Sequence, residues 1–102
     1  MEKFKHLNVQ QLKQWLDANR SVRLVDIRDP QAFSQGHIAN SFHLMTETFQ
    51  NFVDHSEFEE TIIVVCYHGN SSQKVAQDLV EFGYDEVYSL DGGYKAWSET
   101  FG

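Results

Sequence analysis

The chain has 102 residues, and its length predicts a single domain over residues 1–102. Hydrophobic residues make up 41% of the chain and charged residues 23%, which is typical of a folded protein and excludes extensive disorder. Eight Lys and Arg against fifteen Asp and Glu give a net charge of -7, which argues against nucleic acid or an anionic membrane as the main partner.

The first half of the chain predicts a helix, a strand and a second helix. Residues 8–19 read as a helix that Asn8 caps, because Gln11 stands three residues later in the spacing of a capping box. Residues 22–27, VRLVDI, read as a strand. Residues 29–36 begin with an Asp-Pro pair and end at a glycine, which predicts a short capped helix.

The second half continues the alternation of strands and helices. Its central segment, TIIVVC, is β-branched and apolar on both alternating faces, so it predicts a buried strand. The predicted elements are a short strand at 41–44, a weak helix at 46–55, the buried strand at 61–66, a helix at 71–83, a strand at 86–90 and a closing helix at 92–101.

This order of elements indicates an α/β fold, with a mostly parallel sheet and helices on both faces. In such sheets, binding sites form beyond the carboxyl ends of the strands. Three segments fall at those ends: Asp26–Asp29 (DIRD), Cys66–Ser72 (CYHGNSS) and Leu90–Gly93 (LDGG). We therefore expect them to converge on one site.

Cys66 is the one cysteine of the chain, and two interpretations of it are open. A free cysteine is usually a small buried hydrophobe. Here, however, the apolar run ends at Cys66, Gly69 permits a tight bend, and a helix begins near Ser71. The free N–H groups and dipole of a helix start favour negative charge, so the loop could hold a reactive thiolate and an anionic substrate.

Two other classes of cysteine enzyme fit the loop less well. Cysteine phosphatases need an arginine six residues after the cysteine to bind phosphate, but that position is Ser72 and the first cation is Lys74. A cysteine protease needs a base partner, and His68 lies only two residues away on the same tight loop.

Four segments together resemble the rhodanese family over nearly the whole chain: LVDIRDPQAFSQGHIANSFHL, CYHGNSS, FGYDEVYSLDGG and YKAW. The length and the loop sequence point more narrowly to the short single-domain thiosulfate sulfurtransferases of bacteria. The resemblance implies a three-layer fold with a five-stranded parallel sheet flanked by helices. It implies no metal and no organic cofactor.

The resemblance also implies a double-displacement reaction. The Cys66 thiolate would take the outer sulfur of thiosulfate as a persulfide, sulfite would leave, and cyanide or a dithiol such as thioredoxin would accept the sulfur. The backbone N–H groups that would stabilise this sulfur belong to Tyr67, His68, Gly69, Asn70, Ser71 and Ser72. A rhodanese-like module that binds partners without turnover remains the alternative.

The loop departs from that of many larger rhodaneses, because it contains no basic residue. Sulfonate binding would then depend on backbone donors, on the hydroxyls of Ser71 and Ser72, and on a more distant cation such as Lys74. We therefore expect weak thiosulfate binding. Since the net charge of -7 repels a dianion, we also expect moderate salt to raise the rate with thiosulfate.

The remaining signature residues are interpreted as structural support. Asp26 and Arg28 would pin the turn after their strand by an ion pair and bonds to the backbone, and Asp91 could cap the last helix. Tyr67 could line the pocket or face a protein acceptor. The start, MEKFKHL, has no long apolar run, and a lone cysteine forms no intrachain disulfide, so we expect a cytoplasmic protein.

Overall fold

The computed structural model describes residues 2–102. Its strands are β1 Lys5–Leu7, β2 Arg23–Asp26, β3 Phe42–His43, β4 Thr61–Val65 and β5 Glu86–Leu90. Its α-helices are α1 Val9–Asp17, α2 Pro30–Gln35, α3 Phe49–Asp54, α4 Ser71–Phe82 and α5 Gly93–Phe101. A short 3-10 helix, Thr46–Thr48, precedes α3, so the single helix predicted at residues 46–55 is in fact two helical segments.

The five strands form one sheet in the order β1-β5-β4-β2-β3, and every neighbouring pair is parallel. The predicted α/β class with a five-stranded sheet is therefore confirmed. The sequence pattern had missed β1, which pairs with β5 from Lys5 to Leu7. A three-residue edge strand with two exposed residues carries too little hydrophobic alternation to be recognised.

The central strand β4 is buried along its whole length, as its apolar sequence predicted. Ile62 and Val64 face one side of the sheet, where they pack with α4 residues such as Leu79. Ile63 and Val65 face the other side, where they pack in a cluster that includes Leu12 of α1. Helices thus cover both faces, and the packing of β4 on both sides positions the residue that follows it.

The capping box predicted for the first helix is confirmed. The Asn8 side-chain oxygen accepts a hydrogen bond from the Gln11 amide at 2.8 Å, and the Gln11 side chain accepts one from the Asn8 amide at 2.9 Å. Two of the free N–H groups at this helix start are therefore satisfied.

The prediction that Asp91 caps the last helix is wrong. The N-cap of α5 is Gly92, with φ of 77°, and no side chain within residues 2–102 caps this helix. The Asp91 carboxylate instead lies 2.9 Å from Nδ1 of His6 in β1. Glycine is favoured at the cap because few other residues adopt a positive φ without strain.

Residues 2–102 contain no helix that is both long and apolar enough to span a membrane.

Candidate active site

Cys66 follows the last residue of β4 directly and is 4% exposed. The loop after it leads into α4, which begins at Ser71. The thiol therefore lies at the carboxyl edge of the sheet, where β4 ends and the amino-terminal end of a helix begins. This is the position at which sites form in open parallel sheets.

Two hydrogen-bonding groups lie against the sulfur of Cys66. The Gly69 amide donates to Sγ at 3.1 Å, and the hydroxyl oxygen of Ser72 lies 3.2 Å from it. Gly69 has φ of 93°, and a Cβ there would lie 2.8 Å from the Gly92 nitrogen. A glycine is therefore required both for this backbone conformation and for the approach of the loop to the segment before α5.

Ser72 is fully buried, although it belongs to the predicted substrate loop. Besides Cys66, its hydroxyl contacts the hydroxyl of Ser89 in β5 at 2.7 Å. The Ser72 side chain therefore lies beneath the sulfur and is not on the surface that an incoming sulfonate would meet. In a cysteine phosphatase the corresponding position would carry the phosphate-binding arginine.

The backbone carbonyls at the start of the loop are bound by the first turn of α5. The carbonyl of Cys66 accepts from the Tyr94 amide at 2.8 Å, and that of Tyr67 accepts from the Lys95 amide at 3.0 Å. These two partial negative charges are thus directed toward α5 and paired there. Free N–H groups at a helix start are natural partners for such oxygens.

The outer surface of the loop is formed by exposed residues. Tyr67 is 52% exposed, and its ring lies 4.7 Å from that of His68, centroid to centroid. His68, Asn70 and Ser71 are exposed as well. The predicted loop therefore divides into an inner part that contacts the sulfur, Gly69 and Ser72, and an outer part that faces solvent.

Asp26 and Arg28 form a buried ion pair beside the loop. The guanidinium Nη2 lies 2.8 Å from Asp26 Oδ2, and the Arg28 amide donates to Oδ1 at 2.9 Å. Arg28 also donates to the Gly36 carbonyl at 2.7 Å and lies over the Tyr94 ring, 4.1 Å from its centroid. The pair thereby links the ends of β2 and α2 to α5, and its charge is matched within the protein.

Two lysines are candidate partners for an anion at the loop, and Lys95 is the one that shares a cavity with Tyr67. Lys74, considered from the sequence, has a side chain that is 82% exposed and pairs with Asp78 one turn along α4. Lys95 borders a shallow cavity of about 320 Å³ that Tyr67 also lines. Lys95 pairs with Glu99, and this hydrogen bond raises the pKa of the Lys95 amine, so the side chain is cationic at neutral pH.

The comparisons with known proteins identify the family. The rhodanese-like domain matches residues 8–100. The chain belongs to the rhodanese family. It is 50% identical to the thiosulfate sulfurtransferase GlpE of Shewanella oneidensis over 100 residues, which cover 98% of each chain.

Solved structures of rhodanese-like proteins have the same fold. A rhodanese-like domain protein from Staphylococcus aureus is 26% identical, with a TM-score of 0.81 over 92% of this chain and 91% of that one. A protein of unknown function from Rhodopseudomonas palustris, described as a possible tyrosine phosphatase, is 23% identical. It has a TM-score of 0.83 over 97% of this chain and 83% of that one, and this likeness concerns the fold alone.

Sequence reasoning missed two contributors to the environment of Cys66, namely Ser89 and the backbone amides of the first turn of α5. A signal for Ser89 was available, because Val87 and Ser89 are two residues apart and face the same side of the sheet. Val87 packs in the cluster that includes Ala76 and Leu79 of α4, so a polar residue at 89 must meet the same helix nearer its start. The approach of Leu90–Gly93 to the loop was expected from chain order, but the hydrogen bonds from the Tyr94 and Lys95 amides to the loop carbonyls had no local signal.

Proposed function

We propose that this chain is a thiosulfate sulfurtransferase that carries the transferred sulfur as a persulfide on Cys66. The observation that carries this proposal is the environment of Sγ, which receives the Gly69 N–H at 3.1 Å and lies 3.2 Å from the Ser72 hydroxyl. Donors aimed at a sulfur atom stabilise it as an anion. The 50% identity to a thiosulfate sulfurtransferase over nearly the whole chain supports the same reaction.

In the first half-reaction, the Cys66 thiolate attacks the outer sulfur of thiosulfate. A bond forms between Sγ and that sulfur, and the sulfur–sulfur bond of thiosulfate breaks. The bonding electrons leave with sulfite, so one thiolate and one thiosulfate dianion give a persulfide anion and a sulfite dianion. Covalent catalysis of this kind divides one difficult transfer into two easier steps.

In the second half-reaction, an acceptor takes the outer sulfur and restores the thiolate. Cyanide forms a carbon–sulfur bond, the bond to Sγ breaks, and thiocyanate leaves. A dithiol protein such as thioredoxin would first receive the sulfur as its own persulfide. Its second thiolate would then release hydrosulfide and form a disulfide. The exposed Tyr67 would meet such a protein acceptor in the cytoplasm.

The sulfonate of thiosulfate would be held by the exposed part of the loop and by Lys95. The amides and the Ser71 hydroxyl at the start of α4 are donors for an anion. Lys95 approaches from α5, beside Tyr67, and its pairing with Glu99 must loosen before it can bind an anion. This cost, together with the absence of a cation in the loop, accounts for the weak thiosulfate binding that the sequence predicts.

Intact-mass measurement tests the proposed function. The protein is incubated with thiosulfate, desalted and weighed before and after cyanide is added. We expect a gain of one sulfur atom, which cyanide removes and which Cys66→Ser lacks. No gain at millimolar thiosulfate would overturn the proposal and favour a binding module without turnover.

The phosphatase alternative is tested with the same preparations. Ser72 occupies the position of the required arginine, and the buried Arg28 is already paired with Asp26. We therefore expect no hydrolysis of an aryl phosphate above the rate of the Cys66→Ser variant.

A further inference from the structure

A chain of three buried groups runs inward from the reactive sulfur. Sγ of Cys66 lies 3.2 Å from Oγ of Ser72, and that oxygen lies 2.7 Å from Oγ of Ser89. Ser72 and Ser89 are both 0% exposed. Within residues 2–102, the Ser89 hydroxyl makes this one hydrogen bond.

This row of three groups contains two hydrogen bonds, one between Cys66 and Ser72 and one between Ser72 and Ser89. The number of protons available for these two bonds depends on whether Cys66 is a thiol or a thiolate. With a thiol there are three protons, one on sulfur and one on each hydroxyl, so one buried donor has no partner in the chain. With a thiolate there are two protons for two links. Ser89 then donates to Ser72, and Ser72 donates to the sulfur. Leaving a buried donor unpaired is costly, so the matched arrangement is favoured.

A persulfide satisfies the same condition as a thiolate. Once Sγ is bonded to a second sulfur atom it carries no proton, and it can accept from Ser72 as before. The direction of both hydrogen bonds is therefore the same before and after sulfur is loaded. In such a chain each donor is also polarised by the one behind it, which strengthens the bond to sulfur.

We propose that Ser89 is a positioning residue for sulfur transfer, because it directs the Ser72 proton toward Sγ and favours the unprotonated sulfur. The role of Ser89 in sulfur transfer rests on the proposed function. Its effect on the protonation of Cys66 does not depend on that function. Without Ser89, the Ser72 hydroxyl is free to turn toward a carbonyl of the preceding turn, as serines in helices commonly do.

The test is the rate at which iodoacetamide alkylates Cys66 as a function of pH, with no sulfur donor present. Only the thiolate reacts, so the midpoint of the profile reports how readily the proton leaves. At pH 7 we expect Ser72→Ala to alkylate roughly tenfold more slowly than the wild type, because it loses a donor to a charged sulfur. We expect about a threefold loss for Ser89→Ala, which removes only the polarising and orienting group.

Three further variants separate positioning from packing. Ser41→Ala removes another buried hydroxyl, which has no partner within residues 2–102, and should leave the profile unchanged. Ser89→Thr keeps a hydroxyl and should restore the wild-type midpoint. The double variant Ser72→Ala/Ser89→Ala should match Ser72→Ala alone, because Ser89 acts through Ser72.

The other ionisable groups near the loop are the same in all these variants, so they do not shift one profile against another. They are Tyr67 and His68 on the loop itself, Asp26 and Arg28 after β2, and Asp91, Tyr94 and Lys95 at the start of α5.

A Ser89→Ala profile that superimposes on that of the wild type would overturn the proposal, as would a Ser89→Thr profile shifted as far as that of Ser89→Ala. Because alkylation needs no thiosulfate, this result is independent of the mass gain that tests the proposed function. Urea unfolding of each variant establishes that the folded protein is being compared. If Ser89→Ala does not fold, the Ser72→Ala and Ser89→Thr profiles decide the matter. An unshifted Ser72→Ala or a shifted Ser89→Thr overturns the proposal.

Discussion

The amide of Tyr94 donates a hydrogen bond to the carbonyl oxygen of Cys66 at 2.8 Å. The last helix of the chain therefore begins directly against the residue proposed to carry the sulfur. Gly93 makes this approach possible, because its φ of 61° and its lack of a side chain leave room for the backbone of Cys66 and Tyr67. Two backbone hydrogen bonds, from the Tyr94 and Lys95 amides, therefore join the helix start to the loop.

Gly93→Ala should disturb the loop as well as the fold. A Cβ at this position would lie 2.5 Å from the Cys66 carbonyl oxygen and 2.6 Å from the Tyr67 carbonyl carbon, so backbone must move. We expect a loss of unfolding free energy of about 1–3 kcal/mol and a fall in kcat for thiosulfate–cyanide turnover.

The matched control for this prediction is Gly83→Ala. Gly83 also has a positive φ, of 138°, but its neighbour is the Phe58 ring at 3.5 Å, and it ends α4 far along the helix from Cys66. This variant should lose stability while its folded fraction retains the wild-type kcat. Equal loss of kcat in the two variants would contradict the role given to Gly93.

The ion pair of Asp26 and Arg28 should be worth far more to stability than an exposed pair. Asp26→Ala would leave a buried guanidinium without its carboxylate, a change that typically costs about 3–5 kcal/mol. Urea unfolding gives this value. Asp17→Ala, which breaks the exposed pair with Lys13 on α1, is the control and should change stability little. A small effect at Asp26 would mean that water or another group compensates the charge of Arg28.

Stability should depend on the protonation of His6. The carboxylates of Asp91 and Glu2 accept hydrogen bonds from its ring, and they raise the pKa of His6 above its ordinary value of 6.5. A raised pKa means that the folded state binds the proton more tightly than the unfolded state. This stabilisation is fully present below about pH 6.5 and is lost as the pH rises through the raised value.

The measurement for His6 is the difference in urea midpoint between the wild type and His6→Gln across a range of pH. We expect the difference to be largest below about pH 6.5 and to become smaller as the pH rises through the raised pKa of His6. A difference that is constant with pH would show that His6 contributes by packing alone, for example through its contact with Phe4.

Lys95 should contribute to thiosulfate binding. We expect Lys95→Met to raise KM for thiosulfate several-fold, because a cation beside Tyr67 is lost, with little change in the cyanide half-reaction. Glu99→Gln should lower KM, since it frees the amine from its partner. Lys74→Met removes a cation that is paired one turn along α4 and is the control. An equal rise in KM for Lys95→Met and Lys74→Met would indicate that the lysines act by long-range electrostatic attraction rather than by direct contact with thiosulfate.

Salt should raise the second-order rate constant for thiosulfate. The net charge of -7 repels a dianion at long range, and added salt reduces the Debye length from about 30 Å at 10 mM to about 8 Å at 150 mM. Stopped-flow measurement of persulfide formation over this range gives the sign. A steep fall with salt would instead reveal a positive local field at the loop.

The fold was largely predictable because its signals are local. The alternation of strands and helices, the apolar run of β4 and the glycine at the end of α4 each depend on a few adjacent residues. β1 was missed since three mostly exposed residues leave no pattern. It is recognised only through its pairing with β5, whose paired residues lie more than 80 positions away in the sequence.

The site was predictable only in part, for the same physical reason. The residue types in the loop after β4 indicated a reactive cysteine with donors around it. The contacts that complete this environment come from β5 and α5, where Ser89 and Tyr94 belong to elements whose own periodicity says nothing about Cys66. Asp91 showed the limit of local reasoning, because a contact with His6 competes with the helix cap.

The place of β1 at the edge of the sheet has a consequence for how the chain acquires its structure during synthesis. In the part of the chain that the structure describes, β5 is its single strand neighbour, and the contact between His6 and Asp91 joins residues 85 apart in sequence. During synthesis, the segment that forms β1 can therefore dock only after β5 has been translated. Closing so long a loop costs conformational entropy, which slows the pairing of β1 with β5. Strands β2, β3 and β4 can therefore associate before β1 docks. The site matures in the same late event, since β5 and α5 bring Ser89 and Tyr94 to a cysteine that was translated earlier.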